Sequence, residues 1–278
     1  MKNILKIMLM MITIFTIAGS AVYAAEIPVS DQDQLITSSD WTEISNLQDE
    51  MKKEEPDATI DYDKALKVYV DCNLIKLQTA DTKKLTSALE SANYVWVIPF
   101  KMEKTYGMFT VAKGLPLREE AKSVLTKAEQ EEVKNHAGKW MITETAEHTV
   151  EPYYDILLEK REALSDCTRV VLVGSQPGMR QPVALGMDDE TARIWISLGY
   201  QYPVMKKIPE TQNVESGVYS FDSVAEISDT YIEDSEVSTG AGVQSRSSMK
   251  YVAGIGIIVI GSIIILSVLK KKKLEDYE

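Results

Sequence analysis

Apolar and polar positions along this chain alternate in distinct rhythms. Residues 7–17 form an almost unbroken apolar run, interrupted only by Thr13 and Thr16, and residues 251–269 form a second one with no charge. Between them the periods are those of a folded domain. Trp41, Ile44, Leu47 and Met51 recur at helical spacing, with Asp40 as N-cap, Glu43 at the capping-box position and Pro56 as the stop. Residues 65–70 read as a strand, and 81–92 as a helix with Leu85 and Leu89 on one face. Tyr94, Val95, Trp96, Val97 and Ile98 give a strong strand signal, and 106–112 another. Residues 117–136 read as one long helix closed by Gly138, 140–145 as a strand, and 152–165 as a helix with Pro152 in its first turn. Three short strands, 169–173, 183–186 and 193–198, complete the pattern. The expectation is an α+β domain over 60–205, with a mixed or antiparallel sheet and packed helices, preceded by an N-terminal segment, 25–59, carrying a short helix.

A weak echo runs at an offset of 75 residues. Val95, Val97 and Ile98 align with Val170, Leu172 and Val173, and the helices before them superpose. Each copy reads β-α-β-β. This fits a duplicated βαββ unit, or chance repetition of a common pattern; two copies do not make a solenoid.

The two apolar runs carry topology. Lys2 and Lys6 precede the first, and Ala18, Gly19, Ser20, Ala21, Val22 and Ala24 follow it, the small residues that a signal peptidase requires. A leader over 1–24, cleaved after Ala24, is expected; the alternative is an uncleaved anchor, for which the apolar core is short. The leader holds no Cys for lipidation. The second run, at 19 residues, spans about 28 Å as a helix, one hydrocarbon core. Lys270, Lys271, Lys272 and Lys273 follow it directly, a stop-transfer signal for the cytoplasmic side. The expectation is a single-pass protein with its N-terminal domain outside, a transmembrane helix at 251–269 and a short cytoplasmic tail at 270–278. Gly254 and Gly261 share a helix face, but no Gly-x3-Gly pair is present. So short a tail holds no enzyme, and any signal crossing the membrane would need a partner.

Charge and cysteine usage sharpen this picture. The chain has 30 Lys and Arg against 42 Asp and Glu, a net charge of −12. That surface repels nucleic acid and anionic lipid and favours solubility outside the cell. Cys72 and Cys167, the 2 cysteines, both lie in the exported part. An oxidising compartment permits a bond between them, which would add roughly 4–5 kcal/mol by closing a long loop; the alternative is two buried thiols. No Asn-x-Ser/Thr acceptor occurs, which leans towards a bacterial cell surface. From 206 to 250 the chain turns acidic and Ser-rich, and a flexible stalk is expected there, about 35 Å in mean reach over 209–248. Within it Val218, Tyr219, Ser220 and Phe221 alternate, as an added edge strand or docking segment would.

Candidate chemistry is sparse. His136 and His148 are the 2 histidines, so a Ser-His-Asp or Cys-His site must use one of them. His148 with Glu144 and Glu151 is the one cluster with metal-ligand character, set in a polar connector. Gly174, Ser175, Gln176, Pro177 and Gly178 follow a strand but lack the P-loop spacing and lysine, and read as a hairpin connection. Asp188, Asp189 and Glu190 read as a solvated turn without EF-hand spacing. No catalytic, cofactor or metal residue is assigned, and no cofactor is implied. The expectation is an extracellular binding or interaction module tethered to the membrane, with a protein or surface ligand as partner. A tethered hydrolase of wall or extracellular polymers is the alternative.

Overall fold

The computed structural model describes residues 27–123, 125–148, 151–174, 176, 179, 181–199, 205–208 and 213–236. The predicted leader, transmembrane helix and tail lie outside these residues. Among the described residues, no helix is long and apolar enough to cross a membrane.

The chain is a mixed α/β protein built on a large, mostly antiparallel sheet. Its strands are β1 (Thr59–Ile60), β2 (Leu66–Tyr69), β3 (Tyr94–Lys101), β4 (Tyr106–Lys113), β5 (Trp140–His148), β6 (Arg169–Val173), β7 (Val183–Met187), β8 (Ala192–Ser197), β9 (Asn213–Glu215) and β10 (Val218–Ser220). They lie in the order β5-β4-β3-β2-β6-β7-β8-β10-β9, with β1 paired to the end of β3. Both faces of the sheet are covered, which is why β3 reads as a continuous apolar run rather than an alternating one. On the first face Leu66, Val68, Val95, Val97, Val170 and Leu172 pack beneath the helix Tyr153–Glu159. On the second face two clusters sit side by side. Trp96, Ile98, Phe109 and Val111 meet Leu35, Ile44 and Met51 from the N-terminal helices. Val171, Val173, Leu185 and Trp195 meet Leu85, Leu89, Phe221 and Val224.

The halves of the sheet meet at β2 and β6, its parallel pair, where only Val68↔Leu172 and Tyr69↔Val173 are in register. Beyond that contact the strands part, and the N-terminal segment fills the gap. Val170 N donates to Pro28 O at 2.8 Å, and Leu35 N donates to Ala65 O at 3.2 Å. Ile27 and Val29 lie in the first-face core, whereas Leu35 lies on the second face. The chain therefore passes through the sheet at its seam.

Several expectations change. Of the segment 25–59, which was expected to precede the domain, the described part belongs to it: residues 27–60 supply the seam filler, β1 and the cover of one cluster. Asp40 caps nothing; its carboxylate accepts from Tyr94 Oη and Trp96 Nε1 at 2.9 and 3.0 Å, because a buried indole N–H needs a partner more than a solvated helix end does. The long helix at 117–136 is two, Glu119–Lys122 and Lys127–His136, since Thr126 and Glu129 form a capping box that starts a new helix. Gly138, at φ +76°, closes the second.

Part of the stretch expected to be a stalk is folded. Asn213–Glu215 and Val218–Ser220 form β9 and β10 beside β8, and Phe221–Glu236 is a helix whose Phe221 and Val224 enter the core. The spatial duplication is absent. Helix Thr82–Ser91 packs on the second face and Tyr153–Glu159 on the first, and β5 pairs with β4 where a repeat would pair it with β6.

Candidate functional site

Among the described residues, a closed polar cluster lies at the seam and an open groove lies at the β5 edge. Lys67 stands mid-strand on the second face and Arg169 opens β6 on the same face, so parting strands leave two cations facing one gap. Asp33, 2% exposed, fills it. Its carboxylate accepts from Ser30 Oγ at 2.6 Å, Tyr69 Oη at 2.8 Å and Arg169 Nη2 at 3.0 Å, with Lys67 Nζ at 3.7 Å. Lys67 Nζ also lies 4.5 Å from the Tyr94 ring centre and 5.3 Å from that of Trp96, a cation–π arrangement.

Burial pushes the Lys67 ammonium below its ordinary range; Asp33 and Asp40 oppose this, and Arg169 adds to it. Burial beside Asp33 pushes the Tyr69 hydroxyl up, and burial beside Asp40 does the same to Tyr94. Such a cluster locks the two halves of the sheet together. It offers no free acid or base to a ligand, because each charge is spent on a neighbour. Sequence reading missed it, although one signal was present: Lys67 sits inside an otherwise apolar strand.

The open place is a groove on the first face, at the β5 edge. The chain leaves β4 at Lys113, runs through Leu115, Pro116 and Leu117, and returns along the helix Lys127–His136 to β5. Hydrogen bonds from Gly114 N to Lys139 O and from Gly138 N to Gly114 O pin the base of this excursion. Beneath it lies a cavity of 70 Å³ whose apolar lining includes Ala112, Leu115, Ala121, Leu125, Val133 and Met141. Arg118, Glu129, Glu132, His136 and Thr143 supply the polar lining, whereas Lys113 contributes its backbone and turns its ammonium to the Trp140 ring on the second face. The helix above it has no buried residue, although its N-terminus is fully capped. Its apolar side thus meets a space rather than a packed core. Glu129 is already engaged: it accepts from Thr126 N at 2.7 Å and Thr126 Oγ1 at 2.8 Å, which holds its carboxyl below the usual range.

The residues singled out from sequence fall in different places. His136 ends the helix over the groove and lines it, half-buried. His148 ends β5 opposite Tyr106, on the same strand as Glu144, which pairs with Thr110. Burial pushes the Glu144 carboxyl up. Among the described residues, no three His, Cys, Asp or Glu side chains converge as a metal site.

The loop after β6 joins two antiparallel neighbours, as a hairpin connection does; Gln176, buried in it, accepts from Leu74 N at 3.0 Å and donates to Cys72 O at 2.6 Å. Asp188 accepts from the backbone N–H groups of Thr191 and Glu190 in the β7–β8 turn and pairs with Arg193, which together hold its carboxyl low.

The bond between Cys72 and Cys167 is not formed. Both are free and buried, Cys72 in the second-face core and Cys167 in the first-face core, so the sheet stands between them. Burial pushes each thiol up to about 11. No protein-family model matches this chain, and no curated protein or solved structure matches it.

Proposed function

We propose that this chain is a binding module of a bacterial cell surface: an exported domain, held to the membrane by a helix at 251–269, that takes a ligand into the groove between β4, β5 and the helix Lys127–His136. The leader at 1–24, the uncharged run at 251–269 and the lysine cluster after it support the topology. The observation that carries the binding role is the groove itself. A capped helix stands over an apolar floor and leaves it half-open, where an ordinary packing element would close onto it.

The test uses the full-length chain in native mass spectrometry against small-molecule extracts of the cell surface. Adducts on the wild type that vanish from an Ala121→Trp variant, with its groove filled, support the reading. Adducts of equal abundance on both, or none on either, overturn it. For topology, protease added to intact cells should remove the domain and spare the tail.

The hydrolase reading keeps one observation in its favour: His136 lines the groove one helical turn from Glu132, the spacing of a base beside its orienting carboxylate. His136→Gln separates the two. It would abolish turnover in a hydrolase and leave ligand capture intact in a binding module.

A further inference from the structure

The sheet ends on a strand that is long and open along its outer side, and we propose that this edge takes up an extended cationic peptide segment as an added strand, with two basic side chains three positions apart. The surface is separate from the groove. Met141 and Thr143, in the first half of β5, line the groove, whereas the added strand lies along Glu144 to Glu147, where the ladder to β4 is regular.

An edge strand presents a row of unpaired N–H and C=O groups, which sheets ordinarily blunt by keeping the edge short. The far edge does so, since β9 has 3 residues. β5 has 9, against 8 in β4 beside it. Gly107 to Ala112 of β4 are all buried, whereas none of Met141 to Glu147 is. Apart from its ladder to β4, β5 makes no backbone hydrogen bond among the described residues. Its outward main-chain groups are therefore open to another strand.

Charge selects the occupant. Glu144 and Glu147 stand three apart on a regular strand, so their side chains leave opposite faces. Among the described residues neither has a salt-bridge partner. Next to them on the second face, Thr145 Oγ1 donates to Glu54. The neighbouring Glu55 carboxyl is pushed up by burial and then by Glu147 and Glu54, which lie close enough to repel it. A second copy of β5, Trp140 to His148, brings no lysine or arginine to meet these carboxylates. A strand with a cation opposite Glu144 and another opposite Glu147 meets both, one on each face, and this sets the spacing of three. The net charge of −12 draws such a segment in. Main-chain hydrogen bonds would then supply affinity, and the paired charges specificity.

The experiment is fluorescence anisotropy on the full-length chain in nanodiscs of zwitterionic lipid. The probe is a fluorescein-labelled peptide of valine and threonine with two lysines three positions apart. Two twins carry N-methyl groups on one or the other alternate set of its amides, and a third has glutamates for lysines. The wild type should bind the lysine peptide and one N-methylated twin alike, and the other at least about tenfold more weakly, because only one set of amides faces β5. The glutamate twin should not bind. Glu144→Gln combined with Glu147→Gln should weaken the lysine peptide by about tenfold. Amide hydrogen exchange over 141–147 should slow in its presence. Ala121→Trp, which fills the groove, should leave binding unchanged.

No binding to the wild type, or equal binding of the two N-methylated twins, overturns strand addition. Equal binding of the glutamate twin, or no effect of the paired Gln substitutions, overturns the cationic partner. Binding lost in Ala121→Trp puts the peptide in the groove, which overturns the edge site and leaves the groove reading standing.

Discussion

Asp33 and Arg169 meet at 3.0 Å across the gap where β2 and β6 part, and this ion pair ties the threaded N-terminal segment to the second half of the sheet. Lys67 stands 3.7 Å from the same carboxylate on the first half. One buried anion therefore serves two cations from two strands.

The partners are unequal, and substitution should reveal it. Asp33→Ala leaves Lys67 and Arg169 close together and uncompensated, which costs about 3–5 kcal/mol. Lys67→Met keeps the stem against Tyr94 and Trp96 and leaves Asp33 with Arg169, Tyr69 and Ser30; a cost of about 1 kcal/mol or less is expected. Urea unfolding midpoints compare them. A Lys67→Met loss as large as that of Asp33→Ala would contradict the role given to Asp33.

Glu144 makes a pH-dependent prediction. Burial raises its carboxyl in the folded chain, so folding favours the protonated form. That contribution is present below the unfolded carboxyl value and is lost as the pH rises through the higher folded value, where the half-buried group ionises. Glu144→Gln, neutral throughout, should match the wild type at a pH of about 4 or lower and be the more stable of the two at neutral pH. Thermal midpoints across that range measure it. A variant less stable than the wild type at neutral pH would show that the carboxylate has a partner.

The free thiols predict inertness. Cys72 and Cys167 are buried on opposite sides of the sheet, each pushed up to about 11, so neither is a thiolate at neutral pH. The native chain should resist iodoacetamide at mildly alkaline pH, react at both sites once unfolded, and keep its thermal midpoint in reductant. A peptide map that joins the two cysteines without reduction would refute this arrangement.

Much of the domain was legible where one physical rule decided the outcome. Tyr94 to Ile98 announced β3 because a strand buried on both faces must be apolar throughout. Leu85 and Leu89 gave the buried side of a helix whose start Asp81 caps by accepting from Lys84 N at 3.1 Å. What escaped was long-range. Asp40 has the local signature of a cap, yet the indole of Trp96, 56 positions away, claims it. Asp33 lies in a stretch that reads as loose, because its partners come from β2 and β6. Thr126 and Glu129 did spell a capping box, but the helical period on either side ran through it. The groove left one trace, Leu115, Pro116 and Leu117, three apolar residues where a surface loop has no use for them.

The sharpest test of the domain's extent lies where composition pointed to a stalk. Phe221 stacks on Trp195 with ring centres 5.8 Å apart and planes 12° apart, and both side chains are buried in the second-face core. A stalk residue truncated to alanine would change stability by less than about 0.5 kcal/mol, as exposed positions do. A docked phenylalanine leaves a cavity under the ring of Trp195 and costs about 3–5 kcal/mol. Phe221→Ala should show the larger loss in urea unfolding, with the exposed neighbour Asp222→Ala as the control close to wild type. The acidic and serine-rich content of this stretch does not prevent docking, because only Phe221, Val224 and their side of the helix Phe221–Glu236 need be apolar; Asp222 and Glu226 on the other side stay in water. If the two variants unfold together, the helix does not belong to the core and the tether begins soon after β8.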